Sequence, residues 1–147
     1  MGERLKTQDR LKAWEVPNGT TLLCPLCGSC GDLHSHLFFE CLYSSKVWDR
    51  ALFLIHLPLH SNKWQSITDM LSPYASHNVS SIIVAKLVFA AFVYFIWQER
   101  NNRIFKKSYR TEVKLFEEIF FMVRLKLLSI RFKSSSGVES MKTDWHI

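Results

Sequence analysis

The stretch that decides the fold of this chain is CPLCGSCGDLHSHLFFEC, residues 24–41. It contains the pattern C-x2-C-x8-H-x4-C, formed by Cys24, Cys27, His36 and Cys41. Two cysteines separated by two residues can direct both sulfur atoms at one ion, and the histidine and cysteine can complete a tetrahedron from a turn or a helix start. Gly28 helps the backbone fold around that ion. The spacing therefore predicts a small zinc knuckle over residues 22–43, with one structural Zn²⁺ and no coordination position left for water.

Spacing alone leaves other ligand sets open. Cys30 forms a second C-x2-C with Cys27, and His34 lies two residues before His36, so a set such as Cys24, Cys27, Cys30 and Cys41 also fits. We favour His36, because His-x4-Cys is a common closure of a knuckle and Cys30 lies between glycines. The remaining alternative is that these are buried cysteines with no metal, since free cysteine is often a core residue.

Length and composition are those of one globular domain. The chain has 147 residues, of which 48% are hydrophobic, 22% charged and 14% aromatic, and these values exclude disordered and repetitive classes. Its first residues lack an apolar signal segment, so we expect a cytoplasmic or nuclear protein that is not secreted. In a reducing compartment, cysteines crowded in one segment indicate a metal site rather than disulfides.

Apolar spacing predicts helices over residues 8–14, 46–55, 63–71 and 79–107, and a last helix that begins after a Thr111 cap. Ser44 and Ser45 are the cap candidates for the second of these helices, whose apolar stripe is Val47, Trp48, Ala51, Leu52 and Ile55. The last helix has the stripe Val113, Phe116, Phe120, Val123, Leu127 and Ile130. We predict a mainly α fold, in which the small zinc knuckle near the N-terminus is followed by a helical bundle.

The most apolar segment covers residues 82–97. It is shorter than the roughly 18–20 residues that a membrane span requires, and it contains Lys86. We therefore expect a buried core helix, and we regard membrane association as the weaker interpretation.

Patterns that indicate catalysis are absent from the sequence. There is no carboxylate cluster for two-metal chemistry, no G-x-S-x-G elbow, no P-loop and no dinucleotide fingerprint. We expect no enzymatic activity and no small-molecule substrate.

The order of several motifs resembles the reverse-transcriptase zinc-binding domain of plant LINE-type (non-LTR) retroelements. The matching residues are Lys6-Thr7-Gln8-Asp9-Arg10-Leu11, Trp14, Cys24-Pro25-Leu26-Cys27, His36-Leu37-Phe38-Phe39-Glu40-Cys41, Tyr43-Ser44 and Val47-Trp48. Residues 96–105 are similar to the segment that commonly follows this module. The resemblance implies zinc ligands at Cys24, Cys27, His36 and Cys41, and a retrotransposon domain over residues 1–107.

The same resemblance implies a module that follows the polymerase in a longer polyprotein. This sequence has neither the Tyr-x-Asp-Asp motif of the polymerase nor the carboxylates of ribonuclease H, so we expect a non-catalytic fragment. After the domain we place a C-terminal helix over residues 108–133, packed on it, and a disordered tail over residues 134–147.

Positive charge indicates a polyanionic partner. The formal net charge is +6, and residues 98–133 hold ten basic and four acidic side chains. We expect RNA or single-stranded DNA as the partner, with phosphate contacts from Lys46, Arg100, Arg103, Lys106 and Lys107. Phe38, Phe39 and Tyr43 are the candidates for base stacking, although we favour a role for Phe38 and Phe39 in shielding the zinc.

A second function hypothesis requires no nucleic acid. In it, the zinc stiffens a helical protein-interaction module, and the apolar stripe of the C-terminal helix is left to a partner or to self-association.

Overall fold

The computed structural model describes residues 23–33, 35–55 and 79–147. The helical elements in these ranges are a first π-helical turn His36–Glu40, α1 Leu42–Leu52, α2 Val79–Asn101, a second π-helical turn Asn102–Lys106, α3 Glu112–Leu128 and α4 Ser136–Asp144. No strand occurs within them, apart from an isolated antiparallel bridge between Leu23 and Gly31. The predicted mainly α fold, with a Cys/His cluster near the N-terminus, is thus confirmed. The helices predicted over 8–14 and 63–71 lie outside the described ranges.

Helix α1 begins earlier than predicted, at Leu42, with Cys41 as its N-cap. Ser44 and Ser45 therefore lie inside the helix and are not its caps. Their hydroxyls donate to the carbonyl oxygens of Leu37 and Phe39, which ties α1 to the preceding π-helical turn. The predicted apolar stripe is confirmed, because Val47, Trp48, Ala51 and Ile55 are buried and Leu52 is half-buried.

The long helix predicted over 79–107 is present as α2 and the second π-helical turn. Its segment Ser80–Lys106 is long and apolar enough to cross a membrane by length and composition, and 56% of its most apolar window is buried inside the protein. The expected burial is observed at Val84, Ala85, Val88, Phe89, Phe92, Val93, Phe95 and Ile96. Trp48 of α1 lies with its ring centroid 5.0 Å from that of Phe92, so α1 and α2 share one aromatic core.

Helix α3 packs on α1 and α2. Its predicted cap is confirmed, since the Thr111 hydroxyl accepts a hydrogen bond from the backbone N–H of Lys114 at 3.2 Å. Its predicted stripe is partly wrong. The buried row is Leu115, Ile119, Val123 and Leu127, whereas Val113 is exposed and Phe116, Phe120 and Ile130 are half-buried. The four aliphatic residues repeat every four positions, so they form one face that fits the neighbouring helices.

The tail predicted to be disordered contains helix α4. Ser135 caps it by accepting a hydrogen bond from the N–H of Val138 at 3.2 Å. Trp145, just beyond the helix, is 1% exposed and stacks on Phe120 of α3 at a centroid distance of 4.9 Å. The side chain of Arg124 donates to the carbonyl oxygen of Trp145. Burial of one large aromatic side chain and these polar contacts hold the tail on the bundle.

Candidate metal centre

A tight backbone loop presents the first cysteine pair. The N–H of Gly28 donates to the carbonyl oxygen of Cys24 at 2.7 Å, and the N–H of Cys24 donates to that of Cys30 at 2.7 Å. Gly28 has φ +70°, in the left-handed region that favours glycine, so the chain can turn back beside the cysteines. The backbone therefore turns at this glycine, as its expected role beside a metal ion requires.

The second ligand pair lies at the two ends of the first π-helical turn. The N–H of Cys41 donates to the carbonyl oxygen of His36 at 2.7 Å, the i to i+5 bond of a π-helix. This bond brings residues 36 and 41 together across one turn. The chain then continues directly into α1, which fixes Cys41 at the helix start as the spacing predicted.

The ligand atoms of Cys24, Cys27, His36 and Cys41 all lie within 4.8 Å of one another. Two sulfur ligands of a tetrahedral zinc ion, each about 2.3 Å from the metal, are about 3.8 Å apart. The Sγ atoms of Cys24 and Cys41 are separated by 3.9 Å, and Cys27 Sγ lies 3.2 Å from His36 Nε2. Three sulfurs and one imidazole nitrogen with this separation suit a four-coordinate metal ion.

Proton sharing between sulfur atoms also favours a cation at this point. Donation from the Cys24 thiol lowers the pKa of Cys41 to about 5, and the same contact together with burial raises the pKa of Cys24. Burial raises the pKa of Cys27, but backbone hydrogen bonds from Ser29 and Cys30 outweigh it and leave that pKa lowered. A bound dication would take the place of the shared proton and stabilise these sulfurs as thiolates together.

The alternative ligands have different positions. Cys30 is exposed, and its sulfur is not part of the group of four converging atoms. His34 lies outside the described residues. Among the residues that the structure describes, the favoured set is therefore the one that converges.

Arg100 connects this loop to the long helix. Its Nη2 lies 2.7 Å from Oδ2 of Asp32, and the two side chains are 1% and 0% exposed. A second contact of 3.5 Å joins Nε to Oδ1, which makes the pair bidentate. The Arg100 guanidinium also lies 4.7 Å from the ring centroid of Trp97. The charge of Arg100 is therefore used inside the protein.

Arg103 holds the cysteine loop by its backbone. Its Nη1 donates to the carbonyl oxygens of Pro25 and Leu26 at 3.2 and 3.1 Å, and both residues lie between the first two metal-ligand candidates. The guanidinium lies 4.7 Å from the ring centroid of Tyr43. We refer to Arg100 and Arg103 together as the arginine clamp.

Glu99 pairs with Arg103 of the clamp and with Arg110. Its carboxylate is fully buried, accepts a hydrogen bond from the backbone N–H of Arg110 at 2.8 Å and lies 3.8 Å from Nε of Arg103. Burial, and then the negative charge of Glu99, raise the pKa of Tyr43, whose hydroxyl donates to the carbonyl oxygen of Arg110. These buried charges are paired, which is the condition under which a protein interior tolerates them.

Two of the five predicted phosphate contacts need correction. Arg100 and Arg103 are engaged by Asp32 and by backbone carbonyls, so their guanidinium groups do not face solvent as free charges. Lys46, Lys106 and Lys107 remain exposed, and Lys46 lies 3.6 Å from Glu112. Of the five predicted phosphate contacts, the three lysines therefore remain.

The aromatic residues near the cysteines are core residues. Phe38, Phe39 and Tyr43 are 1%, 8% and 7% exposed, so their rings are not open to bases and the predicted stacking on them is wrong. The burial of Phe38 and Phe39 is that of core residues, and their shielding of a zinc ion stays a prediction. Sequence reasoning missed Asp32 and Glu99 as structural partners of the clamp. The signal available was a Glu-Arg pair at the end of an apolar helix, where buried charges must find partners.

The fold and site define a mainly helical protein with a Cys₃His group suited to a metal ion. A family model described as zinc-binding in reverse transcriptase matches residues 1–48, a range that includes all four candidate ligands. No curated protein and no solved structure matches the chain.

Proposed function

We propose that Cys24, Cys27, His36 and Cys41 bind one Zn²⁺ and that this ion has a structural role. The convergence of these four ligand atoms within 4.8 Å carries the proposal. Thiolate and imidazole are the ligands of structural zinc sites, and four protein ligands leave no coordination position for a substrate or a reactive water. We accordingly propose a non-catalytic module.

The module derives, in this proposal, from the reverse transcriptase of a plant LINE-type retroelement. The family match at residues 1–48 supports the reverse-transcriptase part of this origin. The resemblance over residues 96–105 lies beyond that match, and this segment carries the arginine clamp that contacts the cysteine loop. We place the protein in the cytoplasm or nucleus.

Metal content of the purified chain tests the zinc proposal. We expect about one zinc per chain in the wild type and in Cys30→Ala, and loss of the zinc in Cys41→Ala, since three ligands do not complete a structural tetrahedron. Cys30→Ala is the matched control because it removes an exposed cysteine of the same segment. A wild-type chain that folds without metal, or loss of zinc from Cys30→Ala, contradicts the proposal.

An accessory role in binding RNA or single-stranded DNA is the second part of the proposal. It is supported by the formal net charge of +6 and by the exposure of Lys46, Lys106 and Lys107. Binding through phosphates must weaken steeply with salt, so affinity across a salt series is the corresponding test.

One observation favours a protein-interaction module as the alternative. Helix α3 presents four large apolar side chains on its outer side, Phe121, Met122, Leu125 and Leu128, which are between 45% and 58% exposed. Self-association through this side should be insensitive to salt. Analytical ultracentrifugation of the wild type and Leu125→Ser distinguishes the cases: a concentration-dependent dimer that the variant abolishes supports the alternative, and a monomer at every concentration contradicts it.

A further inference from the structure

We propose that the exposed turn over residues 105–109 is a surface for single-stranded nucleic acid, on which bases stack on Phe105 and Tyr109 and phosphates contact Lys106 and Lys107. This inference deepens the proposed accessory function by assigning it a place and a class of ligand, and it rests on that part of the proposed function. This place differs from the knuckle, where the sequence predicts base stacking but the aromatic side chains are buried.

Aromatic exposure is the first observation. Phe105 is 71% exposed and Tyr109 is 65% exposed, in contrast to the buried aromatic rings of the α1–α2 core. Neither ring is needed to fill the bundle. Proteins that bind single strands combine such rings with a positively charged surface, because every base has a face that can stack.

The second observation is a local surplus of positive charge. Residues 103–110 contain four basic and no acidic side chains. Arg103 and Arg110 face Glu99, and Arg110 also pairs with Glu118, so these two arginines are neutralised within the protein. Lys106 and Lys107 are exposed, and no ion pair is recorded for either within the described part of the chain. They remain free for phosphates.

The third observation is that the turn is ordered at both ends. The N–H groups of Lys107 and Ser108 both donate to the carbonyl oxygen of Asn102. At the other end, the ring of Tyr109 lies 5.2 Å from the Arg103 guanidinium, and the N–H of Arg110 donates to Glu99. A surface that is already in place has less conformational entropy to lose when it binds a ligand.

These features favour an unpaired strand over a duplex. Bases in a duplex stack on one another and offer no free face, whereas bases of a single strand can stack on protein side chains. The inference therefore distinguishes a single strand of RNA or DNA from double-stranded nucleic acid.

Fluorescence anisotropy with the full chain, purified in the presence of zinc, tests the inference. The probes are labelled RNA and DNA single strands of about 16 nucleotides and a duplex of the same length. The first variant is Phe105→Ala with Tyr109→Ala, for which Phe53→Ala, at another exposed ring, is the control. The second is Lys106→Gln with Lys107→Gln, matched in charge by Lys126→Gln with Lys133→Gln, which changes two exposed lysines elsewhere.

We expect the aromatic pair to weaken single-strand binding about tenfold or more. The lysine pair should reduce the slope of log K against log salt by about 1.4, which corresponds to two phosphate contacts on a single strand. The controls should change affinity and slope little, and the duplex should bind more weakly than either single strand.

The inference is overturned if the aromatic and lysine pairs behave like their controls, if the duplex binds as tightly as the single strands, or if the wild type binds neither strand at about 50 mM salt. It is also overturned if the variants lose binding to phosphatidylserine vesicles while their affinity for the strands is unchanged.

Zinc content measured on the same samples separates the two proposals. Chains that contain no zinc yet show the expected dependence on the turn support this inference and contradict the zinc proposal. If chains with one zinc bind single strands equally well with and without the substitutions in the turn, the zinc proposal is supported and this inference is overturned.

Discussion

The cysteine loop and the α2–α3 pair are held in place by different forces. In residues 23–33 the backbone makes one isolated bridge, and the interior consists of cysteine sulfurs, Leu26 and the charged side chain of Asp32. The α2–α3 pair is packed through fully buried apolar residues such as Phe92, Leu115 and Ile119. We therefore expect the loop to depend on ligation and charge pairing, and the helices to depend on apolar burial.

The two regions meet at contacts of different kinds. The polar contacts are the buried ion pair between Asp32 and Arg100 and the hydrogen bonds from Arg103 to the backbone of the loop. The π-helical turn after the loop adds an apolar contact, since the ring of Phe39 is parallel to that of Phe89 at a centroid distance of 6.4 Å. Metal removal or a substitution confined to the loop, to the helices or to the contacts between them can therefore show which force holds each region.

Removal of the metal should have the largest effect, and it should be confined to one region. Structural zinc contributes about 10–16 kcal/mol to the folding of zinc-finger peptides. On treatment with EDTA we expect the backbone amides of residues 23–41 to lose protection from hydrogen exchange, while α2 and α3 keep theirs. Equal loss of protection in both regions contradicts the distinction drawn above.

Acidification should release the metal by protonating its ligands. Zinc binds thiolates and a neutral imidazole, so protons compete with it for all four ligands and its affinity falls with pH. In the metal-free loop the Cys24 thiol holds the pKa of Cys41 at about 5, and the stabilising contribution of this depressed pKa is present above the pKa of the unfolded thiol and lost as the pH falls through about 5. We expect the zinc content after dialysis to fall steadily on acidification, and the stability of the metal-free chain to fall as the pH is lowered through about 5. Zinc retained well below that pH, with the helices intact, disagrees with ligation by thiolates.

Phe92→Ala should destabilise the α2–α3 pair, which is held by apolar burial. Truncation of a fully buried phenylalanine costs about 3–5 kcal/mol, through lost burial and the cavity that remains. Urea unfolding of the zinc-loaded chain measures this loss. Tyr94→Ala, which changes a 58% exposed ring of the same helix, is the control and should cost within about 0.5 kcal/mol. Similar losses for both variants rule out apolar burial as the main force in α2.

Asp32→Asn tests the ion pair that joins the cysteine loop to α2. It leaves Arg100 buried without its charge partner, and such a loss costs about 3 kcal/mol. Glu117→Gln, at a 62% exposed carboxylate, is the matched control and should have little effect on stability. We also expect faster metal loss to a chelator from Asp32→Asn, because the clamp fixes the loop. An unchanged rate of loss means that the arginine clamp does not support the metal site.

The candidate metal ligands were the most predictable part of the protein. Sulfur and imidazole ligands must approach one ion, and the allowed spacings are few, so the sequence left only a few ligand sets, and the favoured one is the group that converges. Helices α1, α2 and α3 were also predictable, since their apolar residues recur at helical intervals.

Predictions failed where a residue's role depends on a distant partner. Charge alone indicated that Arg100 contacts phosphate, but its partner Asp32 is 68 residues away and was not part of any local pattern. Trp145 likewise packs on a distant residue, Phe120. Because residues 134–147 are short and mostly polar, their sequence predicts a disordered tail. On α3 apolar residues occupy more than one face, so periodicity alone did not identify the buried face.

X-ray absorption at the zinc edge of the purified full-length chain tests the central claim most directly. The proposed site predicts three sulfur ligands at about 2.3 Å and one nitrogen ligand at about 2.0–2.1 Å. The spectrum of Cys30→Ala should be identical to that of the wild type. Four sulfur ligands, or a shell with oxygen from water, would contradict a structural Cys₃His centre built from Cys24, Cys27, His36 and Cys41.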